Sequence, residues 1–164
     1  METYKKQGNA VNRESLIRSA EKIPPASAKA AEEYARKKEL LAAKVNEIMV
    51  QRPDILYLAG EKNMEMMKDN HSNHARFVAS ILRYFQPEVL TDTVLWVFRS
   101  YRSRGFHQNY WAAQISTWIE VLRQELSPES FASVYPLYEW LSVNIPAFSN
   151  ISELEFQQTP EHDF

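Results

Sequence analysis

Cysteine is missing from the 164-residue chain, which removes disulfide staples, thiolate metal sites and thiol nucleophiles together. A reducing, cytoplasmic setting fits that composition. Only three glycines occur, Gly8, Gly60 and Gly105, so Gly-rich phosphate loops of the GxGxxG or GxxxxGK[ST] type are excluded, and with them the nucleotide enzymes that depend on such loops. No stretch reaches the roughly 18 to 20 uninterrupted apolar residues of a membrane span, and the opening METYKKQGNAVNRE lacks the apolar core of a signal peptide. Neither secretion nor membrane insertion is expected. The GxSxG frame of serine nucleophiles is absent, as are HExxH and a paired ExxH.

Charge of one sign is also scarce: the formal net charge is -2. Residues 1–50 carry ten Lys or Arg against seven acids, residues 51–150 nine against ten, and the remainder four acids and no base. A mildly basic start and an acidic tail fall short of the clustered Lys and Arg that nucleic-acid binding requires. Hydrophobic residues make up 45% and charged residues 24%, the balance of one packed globular domain.

What the chain does have is helical periodicity, without repeats or alternating strand patterns. A short helix is expected over 13–22 until Pro24 and Pro25 stop it. Ser27 caps a long, charged helix from Ala28 to Gln51, rich in Ala, Glu, Lys and Leu, whose thin early apolar stripe suggests a start that projects from the body. Arg52-Pro53-Asp54 breaks it, and one apolar turn at 55–58 ends at Gly60. Further helices are expected over 88–104, closed by Gly105, over 107–126, and over 129–144, the last with Ser127 as cap, Pro128 in its first turn and Pro136 inside. The segment after Pro146 reads as a tail in which Ile151, Leu154 and Phe156 are spaced like a docking motif. The expected fold is all-α: a single domain of about six or seven helices in a bundle or globin-like packing. It divides into an N-terminal segment (1–26), the long charged helix (27–52), a helical core (53–148) and an acidic tail (149–164).

The organising stretch is Gly60 to Gln86. Met64, Met67, His71, His74, Val78, Ile81 and Phe85 recur at steps of three and four and share one helical face, provided the helix is continuous. His71 and His74 then face the core, where they could share a metal, or one could ligate a haem or another tetrapyrrole. The blander reading makes both structural. A competing local reading breaks the helix at Asp69 to Asn73, a run of residues that favour caps and turns because their short polar side chains bond the backbone. The new N-terminus would then suit an anionic group.

A second cluster spans residues 96–107. Arg99, Arg102 and Arg104 crowd a helix end, interleaved with Trp96, Phe98, Tyr101 and Phe106, either as an anion clamp beside stacking rings or as surface charges paired with acids. Tyr110, Trp111, Trp118, Phe131, Tyr135, Tyr138 and Trp140 add an aromatic load that fills a core and leaves material for a pocket or interface. In general look the chain is similar to haem-binding or haem-less sensor globins and to helical modules that receive a cofactor; the likeness is one of architecture and carries no motif across.

The leading functional expectation is a non-enzymatic ligand-binding or sensory domain. Its pocket would lie near His71 and His74 and be lined by Arg99, Arg102, Tyr110 and Trp118, with a protein partner, or a second copy of the chain, reading the ligand state. The alternative is an adaptor or assembly subunit that docks through the long helix or the acidic tail. An enzyme with His71 or His74 as general base stands third, since the sequence shows only nearby acids as partners.

Overall fold

The computed structural model describes residues 11–158, with side chains as far as Leu154. The first ten residues, residues 159–164 and the side chain of Phe156 lie outside that description, and with them part of the N-terminal segment and of the docking motif in the tail. Within it the fold is all-α and a single domain. Eight helices follow one another: α1 Arg13–Ala20, α2 Ala28–Val50, α3 Ile55–Ala59, α4 Met64–Arg83, α5 Pro87–Ser103, α6 Tyr110–Glu125, α7 Pro128–Val143 and α8 Ile145–Gln158. No helix among the described residues is long and apolar enough to cross a membrane.

Local chemistry sets most boundaries. The Ser27 hydroxyl accepts from the amide of Ala30 and starts α2, and Ser127 does the same for α7 through Ser130. Pro128 follows that cap at a position where its missing N–H is harmless. Pro136 is accommodated within a continuous α7, and Pro146 opens α8 in its first turn.

Helix α2 is central. It packs along α4 and also meets α6 and α7. Its first turns do not project: Ala30 and Tyr34 are fully buried. Two charged side chains of α2 also bind the ends of its neighbours. Lys37 Nζ donates to the Glu125 carbonyl at 2.6 Å, at the C-terminus of α6, and Glu33 accepts from the Ser127 amide at 3.1 Å, at the N-terminus of α7. Both placements match the sign of the helix dipole. The early stripe looked thin because alanines supply part of it, and the small side chains let α2 approach its neighbours closely.

The segment after Pro146 is likewise no loose tail over its described length. Helix α8 lies along α5, and Phe148 is fully enclosed between Phe98 and Trp140, with ring centroids 5.3 and 5.2 Å away. One buried aromatic with two ring partners holds the helix where sequence periodicity is weak.

Helix α4 runs unbroken through Asp69–Asn73. Three of the residues that could have capped a break have other partners: Asn70 and His71 bond side chains from α2 and α6, and Asn73 accepts from Arg76. With Asn70 and His71 engaged across the fold and Asn73 by a side chain of its own helix, they do not compete for their own backbone. Met67, His71, Val78 and Ile81 therefore form the buried face, as the continuous stripe requires.

Candidate functional site

Helices α4 and α5 are consecutive in the chain but rest on different neighbours, α4 on α2 and α5 on α1 and α8. Between them lies a cleft of about 320 Å³. Asn70, Asn73, His74 and Phe77 of α4 form one wall, and α5 supplies the other from Thr93 to Arg104. Trp111, Gln114 and Ile115 of α6 and Leu141 of α7 close the back. The lining is mainly apolar and aromatic, with Phe98 stacked on Trp111 at a centroid distance of 4.4 Å and Tyr101 edge-on to the same indole at 5.8 Å. Trp96 lines the cleft and is more than half exposed.

Two buried polar networks back this cleft. In the first, the His71 ring meets the Asn46 carboxamide through Nδ1 at 2.5 Å and the Tyr110 hydroxyl through Nε2 at 3.0 Å. Tyr110 donates to Asn70 Oδ1 at 3.0 Å, and Gln114 Nε2 donates to the same oxygen at 3.1 Å. Burial pushes the His71 imidazole down to about 3, so the ring is neutral and carries one proton. Since the Asn46 carbonyl oxygen is the atom that faces Nδ1, the ring proton belongs on Nδ1 and donates to Asn46, while Nε2 accepts from the Tyr110 hydroxyl, whose single proton it shares with Asn70 Oδ1. The chain of bonds ends at Gln114, a residue of the cleft wall, whose buried Oε1 has no partner.

In the second network, His74 Nε2 lies 2.8 Å from the Tyr138 hydroxyl, which lies 2.7 Å from that of Tyr34. Burial, with His71 adding to it, pushes His74 down to about 3 as well; burial raises both tyrosines, so their protons stay on. Tyr34 is enclosed and has Tyr138 as its one hydroxyl partner. Every proton is used if Tyr34 donates to Tyr138 and Tyr138 to Nε2. The imidazole proton then sits on Nδ1, the one donor His74 has left on the side chain that lines the cleft. Trp118 supports the ring from behind, centroids 4.5 Å apart.

Of the six expected site residues, His74 alone lines the cleft. His71 and Tyr110 lie one layer behind it in the first network, and Trp118 holds His74. Arg102 turns to α8 and pairs with Glu153 at 2.9 Å. Arg99 belongs to the α5 segment but is not part of the lining. Among the described residues no group of three or more His, Asp or Glu is placed to hold a metal ion, and His71 has both ring nitrogens engaged by protein groups. Sequence reasoning missed Asn70, Phe77 and Gln114. Asn70 and Gln114 did leave a signal, each a polar residue at a position that helical periodicity assigns to the core.

A scan against protein-family models finds no match, and comparisons with curated proteins and with solved structures return no significant similarity.

Proposed function

We propose that the chain is a non-enzymatic ligand-binding domain of the sensory or regulatory kind, which takes a small, flat, mainly apolar molecule into the cleft between α4 and α5. The observation that carries this reading is the cleft itself: about 320 Å³ of space with aromatic walls, bordered by the polar residues His74 and Gln114. Apolar enclosure supplies affinity, and a few fixed polar groups set orientation. The two walls belong to helices held by different neighbours, so a ligand bridging them biases their separation, and a partner or second copy that contacts α5 would read that bias. An acid–base enzyme is less well supported, because the hydrogen-bond partner of His74 is a tyrosine and no carboxylate among the described residues orients either imidazole.

The test pairs native mass spectrometry of protein from its own cells with thermal melts in a panel of one- and two-ring aromatic compounds. Binding to the folded state raises the melting temperature by mass action. Val97→Trp, which fills the cleft from α5, is expected to abolish both the co-purifying mass and the shift. A panel without any shift, together with a protein that carries no bound mass, rejects the reading.

A further inference from the structure

Among the described residues the cleft has one charged residue in its lining. No Asp or Glu among the described residues lines it, His74 is neutral, and Arg104 stands at the end of α5. Other arginines of the fold have carboxylate partners: Arg102 pairs with Glu153, Arg13 with Asp92 and Arg52 with Asp54, all within 2.9 Å. Arg104 is different. Its guanidinium touches the Met66 thioether at 3.8 Å, a weak acceptor, and has no carboxylate partner among the described residues. Its backbone is nevertheless fixed, because the Arg104 carbonyl accepts from Asn63 Nδ2 at 2.8 Å. A positive group is thus held at one end of an apolar cavity.

The cleft is also long. Thr93 and Arg104 both line it, and eleven residues of helix place them about 16 Å apart along the axis. Between them the walls carry Phe77, Trp96, Phe98, Tyr101 and Trp111. Such walls suit flat rings lying lengthwise, and a planar guanidinium pairs with a carboxylate through two parallel N–H donors. On the reading of the cleft as a ligand site, we infer that the ligand is an aromatic monocarboxylate, its rings between α4 and α5 and its carboxylate on Arg104.

Isothermal titration calorimetry of the full chain with 2-naphthylacetate, its neutral counterpart 2-naphthylacetamide and decanoate tests this. The acid is expected to bind about fivefold more tightly than the amide at low salt, the scale of an exposed ion pair, and to lose that margin at high salt. Arg104→Gln should erase the margin while leaving amide binding unchanged. The exposed position of Arg104 makes the variant safe for folding, and an unaltered far-UV spectrum checks it. Equal binding of acid and amide in the wild type, or an acid margin that survives in Arg104→Gln, overturns the charge assignment. Decanoate binding without naphthylacetate binding overturns the aromatic assignment. In either case, ligand binding that Val97→Trp abolishes leaves the cleft itself standing as a ligand site, whereas failure of all three compounds to bind overturns this inference along with the reading it rests on.

Discussion

His74 on α4 and Tyr138 on α7 meet through Nε2 and the phenol oxygen at 2.8 Å. That bond joins a residue lining the cleft to a hydroxyl pair sealed in the core, and it decides which imidazole nitrogen keeps the proton. The orientation of the cleft's donor is therefore set by Tyr34 and Tyr138, one layer further in.

Removing the middle hydroxyl should be the costlier change. Tyr138→Phe leaves the Tyr34 proton without an acceptor and His74 Nε2 without a donor, and should lower stability by about 2 kcal/mol in urea unfolding. Tyr34→Phe keeps the bond from Tyr138 to His74 and should cost about half as much. Nitrogen chemical shifts of the His74 ring check the direction independently, with Nδ1 protonated in the wild type. An Nε2-protonated ring would reverse the order of donors.

Acid should destabilise the fold through the buried histidines. The folded-state value of His71, about 3, lies below the unfolded value of about 6.5. Between those limits the unfolded chain binds the extra proton, so stability falls as pH falls and is unaffected by this group above the window. At pH 5 His71 alone should cost about 2 kcal/mol relative to pH 7.5. His74 acts in the same direction, more weakly where its ring borders the cleft. Denaturant midpoints at pH 7.5, 6.5 and 5.0 measure the slope, and His71→Gln should flatten it. Parallel slopes in the two proteins would remove His71 as its source.

Two turns that frame the end of the cleft depend on glycine. Gly60 and Gly105 have φ of 92° and 99°, and Asn63 Nδ2 links the two by donating to the Ala59 and Arg104 carbonyls at 2.9 and 2.8 Å. A Cβ on Gly60 would sit 2.9 Å from that same nitrogen. Gly60→Ala should therefore lose about 2 kcal/mol, combining backbone strain with a displaced Asn63. Asn63→Ala should cost about 1 kcal/mol and loosen the Arg104 turn without strain. Equal midpoints for Gly60→Ala and wild type would show that the turn adapts.

The sequence made the helices legible because nearly every boundary has a local cause, such as Ser27, Ser127, Pro87, Pro128 or Gly105. It could not settle α4 at Asp69–Asn73, since the side chains that argue locally for a break are satisfied by Asn46, Tyr110 and Gln114, remote in sequence. The same distance in sequence hid the cleft. His74 and the 96–111 segment were visible as chemistry, but that α4 and α5 lean on different helices follows from packing alone. Arg102 illustrates the limit: its partner Glu153 sits on α8, where the apolar spacing is too irregular to announce a helix.

Helix α8 should prove integral to the site's back wall. Phe148 is fully buried and contacts Phe98, which itself stacks on Trp111 in the cleft lining. Truncation to alanine removes a large side chain from between two aromatic rings and should cost about 3 to 5 kcal/mol, whereas Arg102→Ala, which breaks only the exposed pair with Glu153, should cost under about 1 kcal/mol. Losing the support of Phe98 also widens the cleft, so Phe148→Ala should weaken binding of a ring compound even at temperatures where the variant is folded. Calorimetric titration beside a melting curve separates the two effects. A Phe148→Ala protein as stable as wild type would mean that α8 is held by other contacts and that the back wall stands without it.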